Sequence, residues 1–458
     1  MRHVRVLSVV ATLLLATTLV AAGASRRVAI PAAVRPMTIE NAASCDISTT
    51  PAATLLLPYF EVELGKRVSD AANTIFTIIN TSSNAQIARV TIWTDYGYPA
   101  AWFNIFLKPY DVQAISLWDV ISLGRLPKTS NASTTATNPH FIVTESCASA
   151  GGDLPEATLA SLQSMLTNGV RSADAPDCRV GGTHAMAVGY ITADVVNSCA
   201  MISPLDIAYY SQILLFDNVL TGDYERINPD ANTGNYAGGN PLVHIKAVPE
   251  GGPAGSGSTA LPYTFYDRFT PTGGRKIDRR QPLPSAFAAR FIQGGTAQFQ
   301  TDFAIWREAA TPGGSVCGST SASSMPIASI VRFDEAENPM VGGAIQAAAS
   351  GTPLNAVSLP STSAPPTASS IFPPLSSQGV AGWMFLNLDN RSGGVTTSSA
   401  NAYSTARPSQ NWVIVHMRAE GRYGVDADAT SLANGCTATG AVEVTQMPLP
   451  QTPPKVVK

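Results

Sequence analysis

The chain has 458 residues, with 36 Gly and 33 Pro, and is 45% hydrophobic and only 13% charged. That composition supplies enough apolar surface for a sizeable core and excludes disorder throughout. With 29 basic and 32 acidic residues the net charge is −3. So even a balance excludes a nucleic-acid partner held by phosphate neutralisation.

Arg2 and Arg5 open the chain, Val6 to Val20 is an apolar run, and Ala22-Gly23-Ala24 is a small-residue cleavage site. This is the pattern of a secretory signal peptide over residues 1–24. The run falls short of the roughly 20 residues that a membrane-crossing helix needs, so no transmembrane anchor is expected in the mature chain. The expected destination is secreted, periplasmic or cell-surface. All the cysteines follow the leader: Cys45, Cys147, Cys178, Cys199, Cys317 and Cys436. An even count in an exported chain reads as a disulfide framework, and no C-x-x-C spacing points to a redox or zinc site. Cys147–Cys178 would enclose one expected helix. Cys317–Cys436 would staple the two sides of an uncharged stretch, leaving Cys45 for Cys199. The connectivity stays open.

Residues 25–50 read as an irregular arm. Strand signals then follow closely. Thr54–Leu64 contains Pro58, which suits an edge or a bulge. Asn73–Asn80 is β-branched, and Ile87–Asp95 alternates, with Ala88, Val90 and Ile92 on one face and Arg89 and Thr91 on the other. Trp102–Leu107 and Val112–Trp118 complete a β-sandwich unit expected over 51–130. A second β-rich unit is expected over 131–337. It opens with one helix, capped by Asp153 and ended by Gly169, with Leu159, Leu162, Met165 and Leu166 at helical spacing. Strands follow at His184–Val196, Leu214–Ile227, Leu242–Val248, Phe287–Ile292, Phe299–Trp306 and Ile327–Phe333. Residues 338–380 read as an uncharged Ser/Ala/Pro-rich linker or loop. The strands Trp383–Leu388 and Trp412–Glu420, within 381–445, are expected to pack on the second unit, with His416, Arg418 and Glu420 facing outward. Residues 446–458 read as a disordered tail. The fold class expected is therefore all-β: antiparallel β-sandwich units with one short flanking helix and long loops.

The segments ATLLLPYFEVEL, IFTIINTSSNAQIARVTIWTD, FLKPYDVQAISL, ITADVVNSC, PLVHIKAVPEGGPAG, VRFDEAENP and NWVIVHMRAEGRY resemble a recurring type of exported bacterial β-rich protein with no agreed function. The first segment also looks immunoglobulin-like, where a strand ending in Asn-Thr-Ser enters a hairpin. These resemblances imply a fold and carry no catalytic or binding residues.

Motifs for chemistry are sparse. There is no G-x-S-x-G elbow, no H-E-x-x-H and no phosphate-cradling glycine loop. Glycoside hydrolysis needs two facing carboxylates, for which Asp302, Glu308, Asp334, Glu335 and Glu337 are the candidates. Trp306 shares the face of Asp302 and Glu308 and could stack on a sugar. Calcium, the one cofactor that the sequence offers, has candidate oxygen ligands in Asp230, Asn232 and Asn235, with Asp426 and Asp428 as a thinner second set. Arg275, Lys276, Arg279 and Arg280 read as an exposed basic loop able to meet an anionic glycan or lipid surface. No set of groups assembles a catalytic residue, so the reading leans away from an enzyme. The function expected is an exported, non-enzymatic binding or structural protein whose partner is a glycan or a cell-surface protein. The alternative is a secreted carbohydrate-active hydrolase.

Overall fold

A computed structural model describes residues 50–128, 152–171, 178–229, 236–247, 264–266, 278–307, 329–338, 379–388, 410–419 and 423–433. All of them fall within the compact unit Ser44–Lys458. Among these residues the strands form four antiparallel sheets. The first runs β4 (Pro99–Leu107), β3 (Gln86–Trp93), β6 (Ala187–Val196), β1 (Thr54–Val62), β9 (Val243–Ile245). The second runs β5 (Val112–Ser116), β2 (Asn73–Asn80), β7 (Leu220–Asn228), β8 (Tyr236–Pro241). The third runs β12 (Ser329–Asp334), β13 (Val380–Asn387), β10 (Ala286–Gln293), β16 (Thr430–Ala433). The fourth runs β11 (Phe299–Arg307), β14 (Asn411–Ala419), β15 (Tyr423–Asp428). The protein is all-β and sandwich-like: β1 packs on β2 and β7 of the second sheet, and β10 packs on β11 and β14 of the fourth.

The stretch expected as a sandwich over 51–130 shares both its sheets with later strands. β1 and β3 both pair with β6, and β2 pairs with β7. Pro58 lies where the β1–β6 register shifts, between Leu57 and Phe60. A proline cannot donate to the ladder, and a bulge is where that loss is tolerated. β1 is not an edge, because β6 and β9 flank it.

Local outcomes differ from the sequence reading at several places, two of them at the helices. The strand expected over Val112–Trp118 stops at Ser116, and a helix α1 follows at Leu117–Leu123. Ser116 caps it by accepting from the Asp119 amide, and Gly124 closes it at φ 71°. Ser at the N-cap with Asp three residues on is a readable start signal. The expected helix is α2, Glu156–Thr167, which buries Leu162, Met165 and Leu166. Its N-cap is Pro155, which provides no side-chain cap, and Asp153 lies outside it.

The core runs through both sandwiches as one cluster. β1, β3 and β6 are buried along their whole length. The first sheet is thus an inner layer with both faces covered. Its apolar rows, such as Ala88, Val90 and Ile92, form one face. Its polar row of Arg89, Thr192 and Asp194 lies under Tyr209, Tyr266 and Arg280.

Candidate functional site

Burying that polar row obliges it to be paired, since an unpaired charge in a core costs several kcal/mol. Asp194 on β6 accepts from Tyr209 Oη at 2.6 Å and Tyr266 Oη at 2.8 Å through Oδ2, and from Thr54 through Oδ1. Arg280 Nε lies 3.7 Å from Asp194 Oδ1 and donates to Thr54 Oγ1, while its Nη1 and Nη2 reach Asp278 and the Leu215 carbonyl. Asp194, Asp278 and Arg280 have no exposed side-chain surface. Burial works against the charge on Arg280, but Asp194 and Asp278 outweigh it and raise the guanidinium above its ordinary value. Burial also drives the Tyr209 and Tyr266 hydroxyls well up, and neighbouring Asp194 adds to it, so both stay protonated donors. The basic loop expected to be exposed therefore has Arg280 as an internal crosslink.

A second charged node joins the two sandwiches. Arg226 on β7 grips Asp426 on β15 with both arms of its fork, Nε to Oδ2 at 2.7 Å and Nη2 to Oδ1 at 2.8 Å. His416 Nδ1 on β14 lies 2.6 Å from the same Asp426 Oδ1. Behind the guanidinium stand Glu61 at 3.8 Å and the Tyr59 ring, centred 5.0 Å away, both on β1. Tyr59 Oη donates to Glu61 Oε2 at 3.2 Å. Local sequence makes the reach across the sheets feasible. Arg226 pairs in register with Gly238 on β8, so both point to the same side of the sheet. A Cβ at Gly238 would sit 2.8 Å from the Asp426 backbone nitrogen. The missing side chain lets β15 lie close over β8 and leaves a path for the arginine.

The electrostatics of the node follow from its partners. Burial opposes ionisation of Asp426, but the Arg226 charge and the hydrogen bonds from His416 and Arg226 overcome it and hold the carboxyl at about 2. Two residues on, Asp428 accepts from Trp412 Nε1 at 3.0 Å. Its burial and the nearby Asp426 charge, only partly offset by that indole, push it up to about 6. Burial and these two acids also raise the Tyr224 hydroxyl well above its usual range. A third, smaller pair is His184 Nε2 at 2.8 Å from Asp95 Oδ2, whose carboxylate also accepts from the Gly182 amide.

The residues expected to bear chemistry are scattered. Asp302, on β11, is buried beside Arg418 at 3.2 Å. Asp334 and Glu335 lie where β12 of another sheet ends and turns: Asp334 accepts from the Ala336 and Asn338 amides, and Glu335 pairs with exposed Arg290. Those hydrogen bonds, chiefly from Asn338, lower the Asp334 carboxyl. Glu337 completes that turn at φ 63°. Glu308 lies outside the described residues, as do Asp230, Asn232 and Asn235. Trp306 is 3% exposed and packs against Tyr190 and Phe265, so it is a core residue and not an open sugar platform. His416, expected outward, is 7% exposed because its face lies against the Asp426 node. His244 is buried on β9 in the first sheet, with Nδ1 2.9 Å from the Thr50 carbonyl. Cys178 and Cys199 carry no free thiol. Cys45, Cys147, Cys317 and Cys436 lie outside the described residues, and the expected pairings with them.

Compared with known proteins, the chain matches no family model, no curated protein and no solved structure. Among the described residues no helix is long and apolar enough to cross a membrane. Among them, too, no three His, Cys, Asp or Glu side chains are grouped as a metal ion would need.

Proposed function

We propose that the protein is an exported, non-enzymatic β-sandwich that binds a partner or builds structure at or outside the cell surface. The observation that carries this reading is how the charged clusters are engaged. Asp194 and Asp426 each have both oxygens held by partners from other elements of the fold, and both side chains have no exposed surface. Groups used up as crosslinks are not free to accept or donate protons to a substrate. The leader pattern over 1–24 and the six cysteines, read as three disulfides, support export. The resemblance to exported bacterial β-rich proteins, and of the first segment to immunoglobulin-like sandwiches, points the same way. A glycan or a cell-surface protein is the partner class. Calcium at Asp230, Asn232 and Asn235 would be an accessory.

One observation favours the hydrolase alternative. Asp426 and Asp428 share a strand face and are pushed apart to about 2 and about 6. Separated carboxyls of this kind mark acid/base pairs. Against it, the acid that would have to act in ionised form is sealed by Arg226 and His416.

The test is to express the full chain with its leader, fractionate the cells, and assay the product on a glycan panel for both binding and reducing-end release. Export with leader cleavage, and saturable binding without turnover, is the expected result. Turnover abolished by Asp428→Asn or Asp302→Asn, or an intact leader on cytosolic protein, overturns the reading.

A further inference from the structure

The second sheet has one face against β1 and one face open. Phe76 and Ile78 on β2, with Tyr224 and Arg226 on β7, form the inner face and are buried. The alternate residues point the other way. Val112 on β5 stands in register beside Ile79 on β2, and Ala114 lies one row further on. Asp223 and Glu225 on β7 continue the next two rows, Glu225 beside Ile75. Val112 is 56% exposed, and Tyr110 in the turn before it 67%. Ile75 and Ile79 are half-buried, and both acids are exposed. Neither carboxylate has a cation or a hydrogen-bond donor among the described residues. Their neighbours on β8, Pro241 and Gly239, carry no side chain that could pair them. No Lys, Arg or His belongs to these rows.

We propose that this open face of the second sheet is a docking surface for a polypeptide segment that presents basic side chains beside apolar ones. The inference rests on the reading of the protein as a binding module, and names the face and the chemistry of the partner. The apolar stripe of Ile75, Ile79, Val112 and Ala114 calls for apolar groups, and the unpaired acids beside it call for cations. Asp223 and Glu225 are two residues apart on one strand, roughly 7 Å, which is also the repeat of alternate side chains in another extended chain. A segment laid over β2 sets apolar side chains on Ile75 and Ile79. Its lysines or arginines then reach sideways over the roughly 4.8 Å to β7. The edge of the sheet, by contrast, is closed to strand addition. On β5 the Val112 amide donates to Asp111 Oδ1 at 3.0 Å, and the Ala114 carbonyl accepts from Gln113 Nε2 at 2.9 Å. These side chains occupy the backbone groups that an added strand would use, so the partner is held by the face and not by the edge.

The probe is a short fluorescent peptide of alternating lysine and valine, blocked at both ends and titrated with the purified full mature chain. A glutamate–valine peptide of the same design is the charge control. Saturable binding of the lysine peptide alone is expected, weakening as salt rises from about 50 to about 500 mM. Asp223→Asn combined with Glu225→Gln weakens it about tenfold, the effect of two exposed ion pairs. Val112→Ser weakens it about fivefold through lost apolar contact. Glu156→Gln, at an exposed acid on α2, changes nothing. All these positions are exposed, so each variant unfolds in urea as wild type does. Deuterium uptake falls on binding in peptides covering 73–80 and 220–228. Absence of saturable binding, equal binding of the glutamate peptide, or wild-type affinity in the double variant overturns the proposal. A dimer of the chain alone that Val112→Ser dissolves in sedimentation gives the face to a second copy and overturns it too. Glycan binding without peptide binding overturns this face and leaves the binding reading standing, so the two failures are told apart.

Discussion

Replacing Arg226 by Met tests whether the second node holds the sandwiches together. The methionine keeps the apolar stem against the Tyr59 ring but removes the fork from Asp426, whose side chain has no exposed surface. Asp426 is held at about 2 against an ordinary 3.8, a displacement worth about 2.5 kcal/mol at 1.36 kcal/mol per pH unit. Part of that comes from His416, but losing the arginine also strands a desolvated anion, and removing one partner of a buried pair typically costs about 3–5 kcal/mol. We expect Arg226→Met to lose about 3–5 kcal/mol at pH 7 by urea unfolding. Because the Asp426 value is depressed, its contribution is full above about 4 and lost as pH falls toward 2. The gap between wild type and variant should therefore close over that interval. Adding Asp426→Leu should recover most of the loss, since a buried ion pair replaced by apolar groups is often near neutral. A loss under about 1 kcal/mol at pH 7, or an equal loss at pH 2 and pH 7, would refute the reasoning.

Three further outcomes follow from separate features. Gly238→Ala should cost about 1–3 kcal/mol, because its Cβ would sit 2.8 Å from the Asp426 backbone and force β15 off β8; unchanged urea unfolding would contradict the close approach. Trp306→Ala should cost about 3–5 kcal/mol in stability while leaving any glycan affinity of the refolded protein unchanged, the reverse of what an exposed sugar platform would show. Ser116→Ala should lose about 1 kcal/mol, measured the same way, because the α1 amide at Asp119 and the Asn73 side chain both bond to that hydroxyl.

The strands were legible because β-branched and aromatic residues alternate between clear turn signals. Asn73–Asn80 has the boundaries expected, and Phe287–Ile292 lies one residue inside β10 at each end. What alternation cannot report is whether the polar face is wet. Arg89 and Asp194 sit on a face that looks solvent-bound by period alone, yet a layer of Tyr209, Tyr266 and Arg280 covers it. The π-turn at Tyr209–Ile213 brings Tyr209 there, and the strand expected from Leu214 begins only at Leu220. β8, β15 and β16 were missed because glycines in the first and Asp-Ala-Asp in the second resemble turns. The node at Arg226 was illegible for a different reason: its partner Asp426 lies 200 positions away, and no local pattern encodes that distance. The paired glycines at 238 and 239, beside an arginine strand, were the one hint.

The Arg280 bond to Thr54 spans 226 positions, and the Arg226 fork spans 200. A chain stopped near residue 250 would have Asp194 without Arg280 and Arg226 without Asp426. Until the later strands are present, the first sandwich lacks two of the partners of its buried charges. Closure over such separations slows folding, because the cost of closing the long loop comes before the contacts that reward it.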